Sequence, residues 1–91
     1  MFRPKYNEVV QFLEAHYDMT EKQILENKSP RAIEARRVLF HALKQLGWSA
    51  EEIYERTAAS VHTIYSTYRE KQEEALARTY LAYMEQTNGN A

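Results

Sequence analysis

The stretch from Ser49 to Lys71 constrains the fold of this chain more than any other. Ser49 and Glu52 form the pattern S-x-x-E, a capping box in which each residue bonds the backbone N–H of the other and a helix begins. The small residues at 58–60 predict a tight turn, and apolar residues recur at helical spacing from Val61 onward. The stretch predicts a short helix with Ile53, Tyr54 and Thr57 inward, a turn, and a long helix with a buried stripe of Val61, Ile64, Tyr65, Tyr68, Gln72, Ala75 and Leu76.

Polar side chains lie outside that stripe at the start of the second helix. They are His62, Thr63, Ser66, Thr67 and Arg69, all of which carry hydrogen-bond donors or acceptors. A short helix, a three-residue turn and a longer helix of this kind form the geometry that places a recognition helix in a DNA major groove. Many small helical proteins share this spacing without binding DNA, so spacing alone leaves both interpretations open.

The rest of the chain also predicts helices and no strands. Another capping box begins at Thr20, Ser29-Pro30 begins a long central helix, and Gly47 is suited to end it. We therefore predict an all-α single domain of five or six helices over residues 1–86, with a disordered tail at 87–91. The expected core comprises Val10, Leu13, Ile24, Leu25, Leu39, Leu43, Leu46, Ile53, Ile64 and Tyr68, and the first helix turns Tyr6, Val9 and Tyr17 to the same side.

Composition argues against several classes of function. The 91 residues include no cysteine, and His16, His41 and His62 are scattered, so no metal site is expected. His16 is interpreted as a structural residue. No nucleophile, carboxylate pair or phosphate loop can be assembled, which predicts a protein that is not an enzyme and has no cofactor or small-molecule substrate. No apolar run suits a signal peptide or a membrane span, so we expect a cytoplasmic protein.

Charge is unevenly distributed along the chain. The formal net charge is −1, which is low for a protein that draws affinity from DNA phosphates. The segment from Lys28 to Lys44, however, contains five basic residues and one acidic residue, so its formal net charge is +4. This cluster is either a phosphate-binding surface or a solvated helix face. DNA binding requires that Glu51, Glu52 and Glu55 point away from it.

The order and spacing of residues 9–71 resemble a known family. They comprise a first helix ending EAHYDM, a short helix ending Ile24-Leu25, a basic loop before a helix with Ala35-Arg36-Arg37, then SAEEI and His62-Thr63. The chain thus resembles the C-terminal DNA-binding domain (domain IV) of the bacterial replication initiator DnaA, in the same broad class as the Trp repressor. The resemblance implies a helix-turn-helix at 49–71 that binds double-stranded DNA.

Individual positions match that family only in part. The resemblance implies base contacts for His62 and Thr63 and a minor-groove contact for Arg31, and Arg37 matches an arginine early in the family's long helix. Ser60, Val61 and Ile64 replace the family's Arg, Asp and second Thr, so a different DNA sequence should be bound, with Val61 suited to a thymine methyl. No G-x-x-x-x-G-K motif occurs, so the ATP-driven assembly of the initiator is not expected.

The leading hypothesis is a sequence-specific DNA-binding regulator of transcription or replication, from a bacterium or a phage. The alternative is a protein-interaction module that kept this fold and lost strong DNA binding. Predicted base contacts are Val61, His62, Thr63 and Ser66. Predicted backbone or minor-groove contacts are Lys28, Arg31, Arg36, Arg37, Lys44, Ser60, Thr67 and Arg69. The C-terminal residues Tyr80, Leu81, Tyr83 and Met84 form either a homodimer or partner surface, or part of the core.

Overall fold

The computed structural model describes residues 4–89, which form six α-helices and, over that range, no strand. This confirms the all-α prediction. The helices are α1 (Tyr6–Tyr17), α2 (Glu21–Glu26), α3 (Pro30–Gln45), α4 (Ala50–Thr57), α5 (Val61–Thr67) and α6 (Lys71–Gly89).

The helix starts lie where the local signals predict them. Thr20 and Ser49 both form complete capping boxes, and the Ser29 hydroxyl accepts from the backbone N–H of Ala32. Gly47 follows the end of α3 with φ +98°, a left-handed conformation that only glycine adopts without strain. The hydrogen bonds of the three N-caps join residues three positions apart, so the local sequence specifies where these helices begin.

Helix α3 is the centre of the fold and packs against all five other helices. Its apolar side chains Val38, Leu39, Phe40 and Leu43 are at most 1% exposed. Seven of the predicted core residues are buried, whereas Leu25, Leu46 and Tyr68 are only partly buried. Burial of His41, at 2% exposure, was not predicted.

The predicted long helix from Val61 is two helices, and this corrects the buried stripe. Helix α5 ends at Thr67, because the N–H groups of Arg69 and Glu70 donate to carbonyls three residues back and form tight turns. Helix α6 then starts in a new phase and packs along α3. The side chains of Gln72 and Ala75 are consequently exposed, and Glu73 and Ala77 are buried instead. Within α5 itself, Tyr65 is exposed and Thr67 is buried, which also differs from the predicted stripe.

Two further expectations need correction. Tyr54 is 50% exposed, since α4 buries Ala50 and Ile53 instead. Helix α6 continues through residues 87–89, which we assigned to a tail; residues 90 and 91 lie outside the described residues.

The C-terminal aromatic segment is divided between core and surface. Leu81 and Met84 are buried, Tyr80 is half-buried, and Tyr83 is 58% exposed. The Tyr80 hydroxyl lies 3.2 Å from Nε2 of His16, which joins α6 to α1. Half of the proposed association surface therefore belongs to the core of a single chain.

Candidate nucleic-acid interface

Two features hold helices α4 and α5 in place: a buried isoleucine on each helix and the hydrogen-bonded turn that joins them. Ile53 and Ile64 are both 0% exposed and anchor the two helices in the core. The Thr57 hydroxyl donates to the Ile53 carbonyl at 2.7 Å and accepts from the Ala59 N–H at 3.2 Å. Ala58 adopts a left-handed conformation with φ +65°. The three residues at 58–60 thus turn the chain where the sequence predicts a turn.

Helix α5 presents one polar face to solvent. His62, Thr63, Tyr65, Ser66 and Arg69 are exposed on this face or just beyond the helix end. Within residues 4–89, the side chains of His62, Ser66 and Arg69 make no hydrogen bond or ion pair. We call these five residues the α5 outer face. His62, Ser66 and Arg69 can therefore contact a ligand without breaking side-chain hydrogen bonds that hold the fold.

Tyr65 is the member of the α5 outer face that sequence reasoning missed. Its ring is 52% exposed and meets Tyr68 edge-on, with ring centroids 5.7 Å apart. We expected it in the buried stripe because it is aromatic and lies four residues after Val61. Its angular position on the helix, next to His62 and away from Ile64, was the signal that could have identified it.

Three predicted DNA contacts on α5 have structural roles in this chain. Ser60 is the N-cap of α5, where its hydroxyl accepts from the Thr63 N–H at 3.1 Å and donates to the Thr63 hydroxyl at 2.8 Å. Val61 is partly buried against the core, and Thr67 is only 6% exposed. Thr67 therefore cannot reach a phosphate, since its side chain faces α3 instead of solvent.

A cleft of about 270 Å³ separates α3 from α5 and from the turn that follows α5. The α5 side contributes Thr63 and Ser66, and the α3 side contributes the two neighbouring arginines. The complete lining is Ile33, Arg36, Arg37, Thr63, Ser66, Thr67 and Glu70. The structure thus brings the predicted base contacts Thr63 and Ser66 beside two of the predicted phosphate contacts.

Arg36 is tied to the fold. Its Nε donates to the Ile24 carbonyl at 2.9 Å, and one terminal nitrogen donates to the Asn27 carbonyl. Both carbonyls lie at the end of α2, where no helical N–H remains to satisfy them. Burial lowers the pKa of Arg36, and the neighbouring charge of Arg37 lowers it further. Arg36 stabilises the α2–α3 junction, and two of the five N–H donors of its guanidinium are used by these carbonyls.

Arg37 is neutralised by an acidic residue of α6. Its guanidinium lies 3.3 Å from a carboxylate oxygen of Glu73, in a pair whose side chains are 39% and 10% exposed. Glu70 lines the same cleft. The two arginines are therefore balanced by two nearby glutamates, and the cleft is close to neutral overall.

The other cations of the basic segment point in different directions. Arg31 lies over the Tyr17 ring, 5.3 Å from its centroid, and Lys44 lies over the Tyr68 ring at 4.5 Å. These two residues are thirteen positions apart, or about 20 Å along α3. Lys28 is exposed in the loop before α3. The predicted basic cluster is thus not one continuous face, because its members hold α3 against different helices.

The acidic residues of α4 lie largely away from the cleft. Glu52 and Glu55 are exposed beside Trp48 and Arg56, on another side of the molecule. Glu51 is close enough to Tyr68 that its charge adds to burial in raising the pKa of that phenol. The acid that pairs with an arginine of the cleft is thus Glu73, and Glu70 lines the cleft; the sequence singled out neither residue.

Comparison of the chain with protein-family models, with curated proteins and with solved structures gives no match. Over residues 4–89, no cluster of three or more metal-ligating side chains occurs. None of the helices in the same range is long and apolar enough to cross a membrane.

Proposed function

We propose that this protein binds double-stranded DNA sequence-specifically and regulates transcription or replication, with α4 and α5 acting as a helix-turn-helix. The α5 outer face carries the proposal. Exposed side chains on a helix that is itself anchored by Ile64 can enter a major groove as a rigid unit. The resemblance of residues 9–71 to the initiator's DNA-binding domain supports the same assignment.

In this proposal the α5 outer face supplies the base contacts. His62, Thr63 and Ser66 offer both donors and acceptors, which suit the distinct patterns of base edges in the major groove. Tyr65 adds an aromatic ring and a hydroxyl at the edge of the same face. Arg69 follows α5 in the tight turn and is exposed, so it is suited to an adjacent phosphate.

Few cations remain for the DNA backbone. Of the predicted backbone contacts, Arg31, Arg36 and Arg37 have hydrogen-bond or ion-pair partners, which leaves Lys28, Lys44 and Arg69 as the exposed cations of that set with no such partner among residues 4–89. Two or three phosphate contacts would give a log–log salt slope of about −2 to −3, shallower than the roughly −4 of four contacts. Base readout must then contribute much of the affinity.

Selection from random duplexes, followed by fluorescence anisotropy over a salt series, tests the proposal. We expect one duplex family to be enriched and to bind much more tightly than random DNA. The proposal fails if no duplex is enriched and if random DNA binds more weakly than ~10⁻⁴ M at about 0.1 M salt, the level of non-specific binders.

A protein-interaction module is the second candidate. The observation that favours it is the balance of Arg36 and Arg37 by Glu70 and Glu73 beside α5, which removes most of the attraction for phosphate. The α5 outer face would then contact a protein. Under this alternative, the selection yields no duplex at any salt concentration.

A further inference from the structure

Glu73 is the most deeply buried carboxylate among residues 4–89, at 8% exposure. It lies in the first turn of α6, where a negative charge is favoured by the helix dipole. Its cation partner is Arg37, at 3.3 Å, and Arg37 lines the cleft beside Thr63 and Ser66. The pair thus lies next to the face that the proposed function assigns to DNA.

The neighbouring acid has a different environment. Glu74 is the next residue of the same turn, and its carboxylate lies 4.0 Å from Lys71 and 3.9 Å from Arg78. Both of these cations are on α6 and largely exposed. These exposed pairs hold their cations only weakly, so Lys71 and Arg78 are already accessible in the wild type. Among residues 4–89, Glu73 has no cation other than Arg37 within 4.0 Å.

We propose that Glu73 withholds Arg37 from the DNA backbone, so that the proposed DNA binding depends on base readout by α5. This inference rests on the proposed function and assigns the residue that limits its phosphate affinity. A phosphate could attract Arg37 only by leaving the Glu73 carboxylate buried and unpaired, which is strongly unfavourable. The complex would gain only one exposed arginine–phosphate contact in return. Such a contact is worth roughly eightfold in affinity at 0.1 M salt, because each phosphate contributes about −0.9 to the salt slope. The pair should therefore persist in the complex.

The test compares salt slopes of matched variants on a random duplex and on the selected duplex. In Glu73→Gln the amide keeps the shape but not the charge, so Arg37 becomes free to bind phosphate. We expect the slope to steepen by about one and affinity at 0.1 M salt to rise roughly eightfold. Glu74→Gln removes the same charge from the same helix turn and should leave the slope unchanged.

A second pair of variants identifies Arg37 as the cation that is released. In the wild-type background, Arg37→Gln should leave the salt slope unchanged, because Arg37 contacts no phosphate there. In the Glu73→Gln background, Arg37→Gln should reverse the steepening. If Glu73→Gln does not fold, Arg37→Gln in the wild-type background still tests the inference. A salt slope that becomes shallower by about one in Arg37→Gln would overturn it, because Arg37 would then contact a phosphate in the wild type.

The possible outcomes separate this inference from the proposed function. An enriched duplex together with an unchanged slope in Glu73→Gln, or equal steepening in Glu74→Gln, rejects the withholding role and leaves DNA binding intact. Failure of the wild type and of every variant to bind any duplex at the lowest salt rejects both. Binding by Glu73→Gln alone supports the withholding role and shows that the wild-type affinity is below detection.

Discussion

The arginines of α3 and the polar residues of α5 line the same cleft, yet they are held very differently. Arg36 and Arg37 contact the end of α2 and Glu73 of α6, so their charges hold helices together. Ser66, on the opposite wall, makes no side-chain hydrogen bond within the part of the chain that the structure describes. Basic residues in a sequence therefore do not define a phosphate-binding surface until their intramolecular partners are known.

The largest expected effect is on the free energy of unfolding, and it distinguishes the buried side of α5 from the α5 outer face. Ile64→Ala removes a side chain that is 0% exposed and should lower the free energy of unfolding by about 3 kcal/mol. Ser66→Ala, two residues later on the outer face, should change it by less than ~0.5 kcal/mol. Urea denaturation measures both. Equal losses would mean that the outer face also contributes to the fold.

The next effect tests whether Arg36 is structural. Arg36→Met keeps the aliphatic part of the side chain but leaves the carbonyls of Ile24 and Asn27 without their donors. We expect a loss of about 2 kcal/mol in the free energy of unfolding. Arg69→Met is the matched control on an exposed arginine and should be close to neutral. A stable Arg36→Met protein would return Arg36 to the set of candidate phosphate contacts.

His62 provides the complementary test on DNA. His62→Ala removes an exposed side chain without a partner in residues 4–89, so the stability of the fold should not change. Binding to the selected duplex should weaken by about 1.5 kcal/mol, binding to random DNA should change little, and the salt slope should stay the same. Anisotropy titrations on the two duplexes give these values. A uniform loss on both duplexes would contradict a base contact.

Low pH should reduce the stability of the fold through His41, which is buried in α3. Burial lowers the pKa of His41 in the folded chain, whereas the unfolded chain retains a value near 6.5. The unfolded state therefore binds the proton first as pH falls, and the stability present above pH ~6.5 declines toward the lowered folded pKa. We therefore expect the free energy of unfolding to decrease between pH 7 and 5.5, with protonation of His41 in the unfolded chain contributing to the loss. His41→Gln should reduce that pH dependence, as measured by urea denaturation at each pH, and an unchanged slope would contradict this role.

The smallest expected effect is a gain at the turn between α4 and α5. Ala58 has φ +65°, a conformation that glycine adopts more easily than alanine. Ala58→Gly should raise the free energy of unfolding by about 0.5 kcal/mol, with the greater flexibility of unfolded glycine partly offsetting the relief. Ala59→Gly is the control, and it should be destabilising because Ala59 has no positive φ.

The sequence alone determined the helical class, the starts of α2, α3 and α4, and the turn at 58–60. Those features depend on contacts between residues three or four apart, such as Ser49 with Glu52, which are encoded within one turn of chain. The burial of Ile53 and Ile64 followed from the helical period in the same way.

Only the tertiary structure decided where α5 ends and which charges remain free. The stripe drawn through Tyr65 and Gln72 assumed one continuous helix, and the tight turns after Thr67 shifted the phase of everything that followed. Glu73 consequently became a buried partner of Arg37, from which it is separated by 36 residues in sequence. A pattern along the chain carries no information on such a pair, because its energy depends on how α3 and α6 pack.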